Sequence, residues 1–149
     1  MTGSKSRKAA APRVFLDTNI LLDYLYFRGE EALAAEYIFN VCANDSIECF
    51  IAAHSLTNLF YITRKDFSDA ARKQIILNFC AMCHVQEISS DTVEKAIANG
   101  YSDDLEDALQ IQCAIDCGAD HIVTRDAGGF GKSPVKAIAP HSLIHVLGL

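Results

Sequence analysis

The sequence lacks a hydrophobic run long enough to cross a membrane. Its longest apolar stretches are interrupted by Asp23, Asn40 or Asn44, well short of the ~20 residues that a transmembrane helix requires. Residues 1–12 are small and basic, without the apolar middle of a secretory signal peptide. We therefore expect a cytoplasmic protein with no membrane partner, in which residues 1–12 form a flexible N-terminal tail.

An excess of basic charge is also missing. The 149 residues include 13 Lys and Arg against 19 Asp and Glu, a net charge of −6. This balance argues against a general binder of polyanions, which would need a broad basic face. It does not exclude a nucleic-acid enzyme, because clustered carboxylates bind divalent cations that reverse the local sign of the electrostatic field.

Several common catalytic patterns are absent as well. The chain has no HExxH motif, no phosphate-cradling glycine loop and no Ser/His/Asp order typical of nucleophilic hydrolases. A phosphatase with a strand-end aspartyl nucleophile would draw only on Asp17, and Asn19 stands where such enzymes usually carry a second acid. These classes are therefore disfavoured.

The six cysteines allow more than one interpretation. In a reducing cytoplasm we expect free thiols. Residues 80–84, CAMCH, match the string that attaches c-type haem, and Cys113 and Cys117 form a candidate second metal-binding pair. Both segments coincide with helical patterns, where buried cysteine packs as a small hydrophobe. We prefer that interpretation to haem or structural zinc.

Short apolar segments alternate with helical patterns along the chain. Strands are predicted at residues 13–17, 48–52, 84–88, 121–124 and 135–139. Seven helices are predicted between and after these strands. Four of them begin at residue 18, cover 30–43, cover 67–82 and cover 103–116. The others run from an N-cap at Ser55 to residue 61, from a cap at Ser90 or Asp91 to residue 99, and onward from Pro140. This alternation indicates an α/β domain over residues 13–149, with a parallel sheet covered on both faces.

Acidic residues follow two of the predicted strands. Asp17 ends the first strand, and Asp126 lies two residues after the strand at 121–124. In parallel sheets, ligand sites lie beyond the carboxyl ends of the strands, near the point where strand order reverses. A third acidic group, residues 103–107, opens a predicted helix, and its Asp107 lies beside the apolar stripe. The sequence therefore predicts that these acids meet at one edge of the sheet.

Each acid also has a simpler structural interpretation. Asp17 suits a helix cap, Asp126 suits a turn beside two glycines, and acids in a first helical turn are stabilised by the helix dipole. Helical spacing pairs Asp107 with either Asp103 or Asp104 and does not choose between them. If the three positions meet, however, their mutual repulsion would be relieved by bound Mg²⁺ or Mn²⁺, which prefer oxygen ligands.

Three segments together resemble the acidic motifs of PIN domains. They are residues 15–23 (FLDTNILLD), 104–110 (DLEDALQ) and 122–126 (IVTRD), in the family's order and approximate spacing. The resemblance runs from about Arg13 to the C-terminus, and residues 53–61 resemble a bacterial subgroup. It implies a three-layer α/β/α fold with a short, mostly parallel central sheet. It also implies a ribonuclease that acts on RNA with Mg²⁺ or Mn²⁺ as cofactor.

The resemblance also implies partners and site residues. Many small bacterial members are toxins of toxin–antitoxin pairs, so an antitoxin protein and a homodimer are expected. By position, Asp17, Asp107 and Asp126 match the metal-holding acids, with Asp104 as an additional catalytic and metal-binding acid. The supporting polar residues are Asn19, Asn58 and Thr124. The candidate phosphate-binding residues are Arg125, Lys132, Arg64 and Lys65.

Asn58 departs from the family pattern. Many PIN nucleases place a glutamate near this position, early in the helix after the second strand. Asparagine offers a carbonyl oxygen but no negative charge, which predicts weaker metal binding with Asp104 in compensation. The alternative function is therefore a catalytically weak or inactive PIN-like module that binds RNA or a protein partner.

Aromatic residues on the early helices suit either a dimer interface or the core. They are Tyr24, Tyr26, Phe27 and Tyr37. We favour the core for all four.

Overall fold

A sheet of five parallel strands lies at the centre of the computed structural model, which describes residues 10–149. The strands are β1 (Arg13–Leu16), β2 (Glu48–Ala52), β3 (His84–Gln86), β4 (His121–Val123) and β5 (Lys136–Ile138). Their spatial order is β3-β2-β1-β4-β5, and every pairing is parallel. Most of the predicted N-terminal tail, residues 1–9, lies outside the described residues.

Helices cover both faces of this sheet. They are α1 (Thr18–Tyr26), α2 (Gly29–Ala43), α3 (Ala53–Ile62), α4 (Asp69–Met82), α5 (Ser90–Asn99), α6 (Leu105–Asp116) and α7 (Pro140–Leu147). Short 3₁₀ turns occupy Thr63–Lys65 and Ala127–Phe130.

Side chains of β1 alternate between two separate cores. Val14 and Leu16 pack with residues of α1, α2, α3, α4 and α7, whereas Phe15 packs with α6. Successive strand residues point to opposite faces, so each face of β1 supports its own helix layer. The predicted three-layer α/β/α architecture is confirmed.

Some predicted boundaries shift because polar side chains take other partners. The prediction that Ser55 caps the third helix is wrong: α3 begins at Ala53, and Ser55 is buried inside it. Its hydroxyl accepts a hydrogen bond from Thr18 Oγ1 at 2.8 Å, which joins α3 to α1. The cap of α5 is Ser89 rather than Ser90 or Asp91. The helix predicted to start at residue 103 begins at Leu105, because Asp104 is its N-cap.

The cysteines are free thiols with two kinds of environment. Cys113 and Cys117 are buried in the core beside α6, as the packing interpretation predicts. Cys80 differs, because it is exposed at the end of α4 while Cys83 is buried. The packing interpretation therefore holds for Cys83 and is wrong for Cys80.

The aromatic residues of the early helices divide between core and surface. Tyr24 packs on Phe39 with ring centroids 4.4 Å apart, whereas Phe27 and Tyr37 are 58% and 42% exposed. The prediction that all four belong to the core is wrong for these two. Phe27 follows α1 with its backbone in the left-handed region, so the helix stops there and the Phe27 side chain stays at the surface.

No helix within residues 10–149 is long and apolar enough to cross a membrane.

Candidate metal-binding acidic site

Strand order reverses between β1 and β4. From β1 the chain moves to β2 and β3 on one side, then returns to place β4 on the other side of β1. Asp17 follows β1 directly, and its backbone N–H donates to the carbonyl of Val123 at the end of β4, at 3.0 Å. The carboxyl ends of these strands therefore meet where the topology of parallel sheets predicts a ligand site.

Asp17 is held by side chains of two other elements. Its carboxylate is 7% exposed and accepts a hydrogen bond from Gln110 Nε2 at 2.9 Å and another from Thr124 Oγ1 at 2.7 Å. Asp17 occupies the N-cap position of α1 but makes no side-chain capping bond there. The helix-cap interpretation is therefore excluded, since the carboxylate points toward α6 and the end of β4.

Thr124 connects Asp17 to Asp126. It is fully buried, donates its hydroxyl proton to Asp17 and accepts the backbone N–H of Asp126 at 2.9 Å. This chain of bonds fixes the Asp126 backbone relative to the Asp17 carboxylate. The orienting role of Thr124 stays a prediction, and these two hydrogen bonds are the contacts through which it would act. Asn19 also lies beside this network in sequence, and its buried Oδ1 has no hydrogen-bond partner.

Asp107 and Asp126 lie on either side of Gly129. A Cβ atom on Gly129 would stand 3.0 Å from Asp126 Oδ2 and 3.2 Å from Asp107 Oδ2. The glycine therefore leaves a small space that both carboxylates border. Asp126 Oδ1 also accepts the backbone N–H of Gly129 at 3.3 Å, so the turn interpretation of Asp126 is right alongside its place at the site.

Asp104 has a structural role at the start of α6, the helix that carries Asp107. Its Oδ1 accepts the backbone N–H of Asp107 at 3.0 Å, which caps α6. This bond fixes the first turn and with it the position of Asp107. It also distinguishes Asp104 from Asp103, a choice that helical spacing left open.

Negative charge accumulates around Asp107. Burial and the nearby carboxylates of Asp104, Asp17, Glu106 and Asp126 raise the pKa of Asp107 to about 6. The charges of these acids are therefore close enough to act on one another. The carboxylate repulsion distinguishes this edge from a set of independent helix caps and turns.

Glu106 and Gln110 belong to the site, although neither was predicted. Burial and the charges of Asp17 and Asp104 raise the pKa of Glu106, and a hydrogen bond with the Asn58 side chain opposes this effect. Gln110 is 1% exposed and holds Asp17. Its sequence signal was its place three residues after Asp107, on the same helical face. Glu106 gave no comparable signal, because the acidic run at 103–107 resembles a solvated first turn.

The four candidate phosphate-binding residues are not brought together. Arg125 pairs with the buried carboxylate of Asp23, with Nε and Oδ2 2.5 Å apart, and Lys132 is exposed after the second 3₁₀ turn. Arg64 and Lys65 lie beyond the far end of α3, about 15 Å along a helix of this length from the end of β2. Arg64 stacks on the ring of Tyr61.

The donor set fits a hard divalent cation. Within residues 10–149, no three His, Cys, Asp or Glu side chains already stand as close as the ligands of one metal ion. Asp107 and Asp126 nevertheless present carboxylate oxygens to the small space that Gly129 leaves by lacking a Cβ. Burial and repulsion from the nearby carboxylates raise the pKa of Asp107. A bound cation would remove that repulsion. Asp17, Asp107 and Asp126 are the residues that would hold it.

The raised pKa of Asp107 predicts that this residue contributes less to the stability of the metal-free protein as the pH rises. The unfolded carboxyl titrates near 3.8, whereas the folded one titrates at about 6. Between these values the folded state binds more protons, so the contribution of Asp107 is full below the unfolded pKa and is lost as pH rises through the folded pKa. Thermal melts in EDTA between about pH 4 and about pH 7 measure this effect. The Asp107→Asn variant should decline less over that range, and an equal or steeper decline would contradict the assignment.

The chain and its fold are similar to known proteins. A sequence model of the PIN domain matches residues 13–128, whereas no curated protein matches the sequence. The fold is similar to a toxin–antitoxin complex from Klebsiella pneumoniae, with a TM-score of 0.65 and 21% identity over 85% of this chain and 97% of that one. It is also similar to DNA-bound VapBC from Salmonella typhimurium, with a TM-score of 0.66 and 18% identity over 87% and 98% of the two chains.

A third similar structure is VapC20 of Mycobacterium tuberculosis, a sarcin–ricin-loop-cleaving toxin. Its TM-score is 0.56, with 12% identity over 73% of this chain and 86% of that one. At these identities the solved structures establish a common fold. The family match covers the segment from β1 through the turn after β4, which includes Asp17, Asp107 and Asp126. The chain belongs to the PIN domain family.

Proposed function

We propose that this protein is a divalent-metal-dependent ribonuclease that hydrolyses phosphodiester bonds in RNA. The observation that carries the proposal is the meeting of Asp17, Asp107 and Asp126 at the β1–β4 switch point, where burial and the neighbouring carboxylates raise the pKa of Asp107. Family membership supports it, because PIN domains are generally nucleases.

The cofactor of the proposed reaction is Mg²⁺ or Mn²⁺. When bound, such an ion would polarise the scissile phosphodiester and lower the pKa of the attacking water. The residues proposed to hold it are Asp17, Asp107 and Asp126, whose carboxylates differ in how they are fixed. Asp17 is fixed by two hydrogen bonds, and Asp126 is fixed by Thr124 and Gly129. This rigidity keeps the ligand positions in place before the cofactor arrives.

Asp104 acts on this site through Asp107. Its bond to the Asp107 backbone orders the start of α6, and its charge contributes to the raised pKa of Asp107. We therefore assign to Asp104 the role of a positioning residue that also adds negative potential. This refines the expectation that it is a direct metal ligand.

Glu106 supplies a carboxylate close to Asn58, where the family often has a glutamate. We expect the Glu106→Gln variant to bind Mn²⁺ about tenfold more weakly, because the charge of the ligand set controls cation affinity. Asp103→Asn is the matched control: it removes the same charge from an exposed neighbour that does not raise the pKa of Asp107. Calorimetric titration measures both. Equal losses in the two variants would show that only net charge matters.

A role as the toxin of a toxin–antitoxin pair is the second part of the proposal. The Klebsiella and Salmonella relatives were solved as toxin–antitoxin complexes, and the Mycobacterium relative is a sarcin–ricin-loop-cleaving toxin. By this likeness we propose RNA as substrate, an antitoxin protein as partner and a homodimer as the assembly. Phe27 and Tyr37 are exposed apolar residues available for such contacts.

Cleavage of a mixed structured RNA tests the proposed reaction. The wild-type protein should cut in Mn²⁺ or Mg²⁺ and should stop cutting when EDTA is added, because the carboxylates alone cannot activate water at a phosphodiester. Cleavage that persists in EDTA would overturn the metal-dependent mechanism. A wild-type protein that binds RNA without cutting any folded RNA and without binding Mn²⁺ would support the non-catalytic module.

Two observations favour that alternative. Asn58 lacks the charge that many PIN nucleases have there, and the acids of residues 10–149 do not already stand at metal-ligand distances. A binding module would keep its affinity for RNA or protein when Asp17 is neutralised. The ribonuclease would cleave RNA as the wild type and lose that cleavage in the Asp17→Asn variant, so the cleavage of the two proteins, and not their binding, separates the two functions.

A further inference from the structure

Two arginines converge on one buried carboxylate close to the acidic site. The carboxylate is that of Asp23, which lies on α1 and is 2% exposed. Its Oδ1 is 3.3 Å from Arg28 Nη2, and its Oδ2 is 2.5 Å from Arg125 Nε. A buried charge needs an opposite charge beside it, so Asp23 keeps both guanidinium groups next to one another.

Both arginines stand on backbone that hydrogen bonds fix. The N–H of Arg28 donates to the carbonyl oxygen of Asp23 at 3.2 Å, in the turn between α1 and α2. Arg125 lies between Thr124, which is fully buried, and Asp126, whose N–H donates to Thr124 Oγ1 at 2.9 Å. The two ion pairs therefore join the end of α1 to the loop that carries Asp126.

These ion pairs leave guanidinium donors unused. Within residues 10–149, no acceptor receives an aligned hydrogen bond from the side chain of Arg28 or Arg125, and even the buried Asp23 Oδ2 has none. The two arginine side chains are 51% and 38% exposed. The Cζ atom of Arg28 also lies 5.8 Å from the ring centroid of Tyr26, which supports it from one side. Both arginines therefore present N–H donors to the surface.

The cluster suits an anion that has several oxygens. Two guanidinium groups and one carboxylate carry a net positive charge, and the planar N–H pairs of arginine match the oxygens of a phosphate group. Asp23 comes six residues after Asp17, a rise of about 9 Å along a helix. An anion bound here would therefore neighbour a group held by the acids and would not be that group itself.

We propose that Arg28 and Arg125, positioned by Asp23, form a subsite for one backbone phosphate of RNA, next to the phosphodiester at the acidic site. This subsite rests on the proposed ribonuclease function, for which it supplies a grip on the strand beside the reacting bond. Phosphate contacts set the position of a strand and read no sequence. Asp23 is a positioning residue, because it acts on RNA only through the two arginines.

Binding of a labelled single-stranded RNA in EDTA tests the subsite in the absence of metal-dependent cleavage. The Arg28→Gln and Arg125→Gln variants should each bind about tenfold more weakly, since each loses charge-assisted hydrogen bonds. Lys136→Gln is the matched control, because it removes the same charge at the amino end of β5, away from the carboxyl edge of the sheet. Its affinity should stay within about twofold of the wild type.

The salt dependence of binding shows whether the two arginines share one phosphate. Each phosphate contact with a single strand contributes about 0.7 to the slope of log affinity against log salt concentration. The double variant, Arg28→Gln with Arg125→Gln, should therefore lose about 0.7 from this slope in total. A loss of twice that amount would mean two separate phosphates and would overturn the shared subsite.

The Asp23→Asn variant separates positioning from net charge. It makes the protein less negative, so the net charge alone predicts tighter binding of RNA. We expect binding about fivefold weaker, because the guanidinium groups lose the carboxylate that holds them together. The Arg125→Lys variant keeps a cation beside Asp23 and with it the fold, and it should still bind more weakly because lysine lacks the planar fork.

Three results would overturn the proposal. The first is wild-type affinity for RNA in the arginine variants, and the second is a wild-type protein that binds no RNA at low salt. The third is an Arg125→Gln variant that cleaves more slowly while its RNA affinity and salt slope are unchanged, because the arginine would then only fix Asp126. Failure of the ribonuclease is distinguishable: a protein that binds RNA through both arginines but never cuts it keeps the subsite and loses the enzyme.

Discussion

Replacing Asp17 by Asn should reduce metal-dependent RNA cleavage by about 10³-fold, equivalent to about 4 kcal/mol of transition-state stabilisation. Asp17 is the buried acid at the switch point, and two hydrogen bonds fix its carboxylate. The substitution removes its negative charge at constant size. Cleavage rates of the purified variant and wild type at saturating Mn²⁺ measure the effect.

The same substitution should leave the fold intact. In the Asp17→Asn variant the side-chain amide oxygen can still accept a hydrogen bond from Gln110. The amide nitrogen would face Thr124 Oγ1, which now donates to Asp17 and already accepts the Asp126 N–H. Thr124 would lose one hydrogen-bond acceptor, a cost of about 1 kcal/mol. A melting temperature close to the wild type, with cleavage lost, is the expected result. Cleavage within about twofold of the wild type would refute the role of Asp17.

Replacing Gly129 by Ala should weaken Mn²⁺ binding and RNA cleavage, with cleavage reduced up to about 100-fold. The new methyl group would stand 3.0 Å from Asp126 Oδ2 and 3.2 Å from Asp107 Oδ2. Both oxygens would have to move away from the space that they border. The 3₁₀ turn itself tolerates alanine, because Gly129 does not have a positive φ. The effect therefore reports on the carboxylates and not on backbone strain.

Gly128→Ala is the matched control for this prediction. Its methyl group would meet only Asp126 Oδ1, at an ordinary contact distance of 3.6 Å. We expect its Mn²⁺ affinity and cleavage rate to stay within about twofold of the wild type. Equal losses in the two glycine variants would mean that the turn is sensitive to any side chain. Unchanged binding in Gly129→Ala would show that the cation does not use the space between Asp107 and Asp126.

The sequence predicted the architecture because hydrophobic periodicity and strand length are local properties. Alternating short strands and helices imply a parallel sheet, and the strand-end rule then places Asp17 and Asp126 at one edge. Helix boundaries were less predictable wherever a polar side chain could either cap a helix or bond to another element. Ser55 had the local signature of a cap, but its hydroxyl instead receives a bond from Thr18 on another helix. Only the packing of α1 on α3 reveals that choice.

The sequence predicted which acids lie near one another, but not all of the side chains that hold them in place. Asp107 was distinguished by its place beside an apolar stripe, but Asp103 and Asp104 have equivalent spacing, and only the capping bond separates them. Gln110 and Asp17 are far apart in the chain, so their contact is a property of the fold. Arg125 was a candidate to bind phosphate, but in the fold it pairs with Asp23, a buried acid that no strand-end rule identifies.

Calorimetric titration of Mn²⁺ into the wild-type protein at about pH 7.5, above the pKa of Asp107, tests the central claim most directly. The account predicts saturable binding of one or two ions, reversed by EDTA and lost in the Asp17→Asn variant. A wild-type protein that gives no binding heat, and whose melting temperature Mn²⁺ does not raise, would contradict it. The acids at this edge of the sheet would then repel one another without binding a cation.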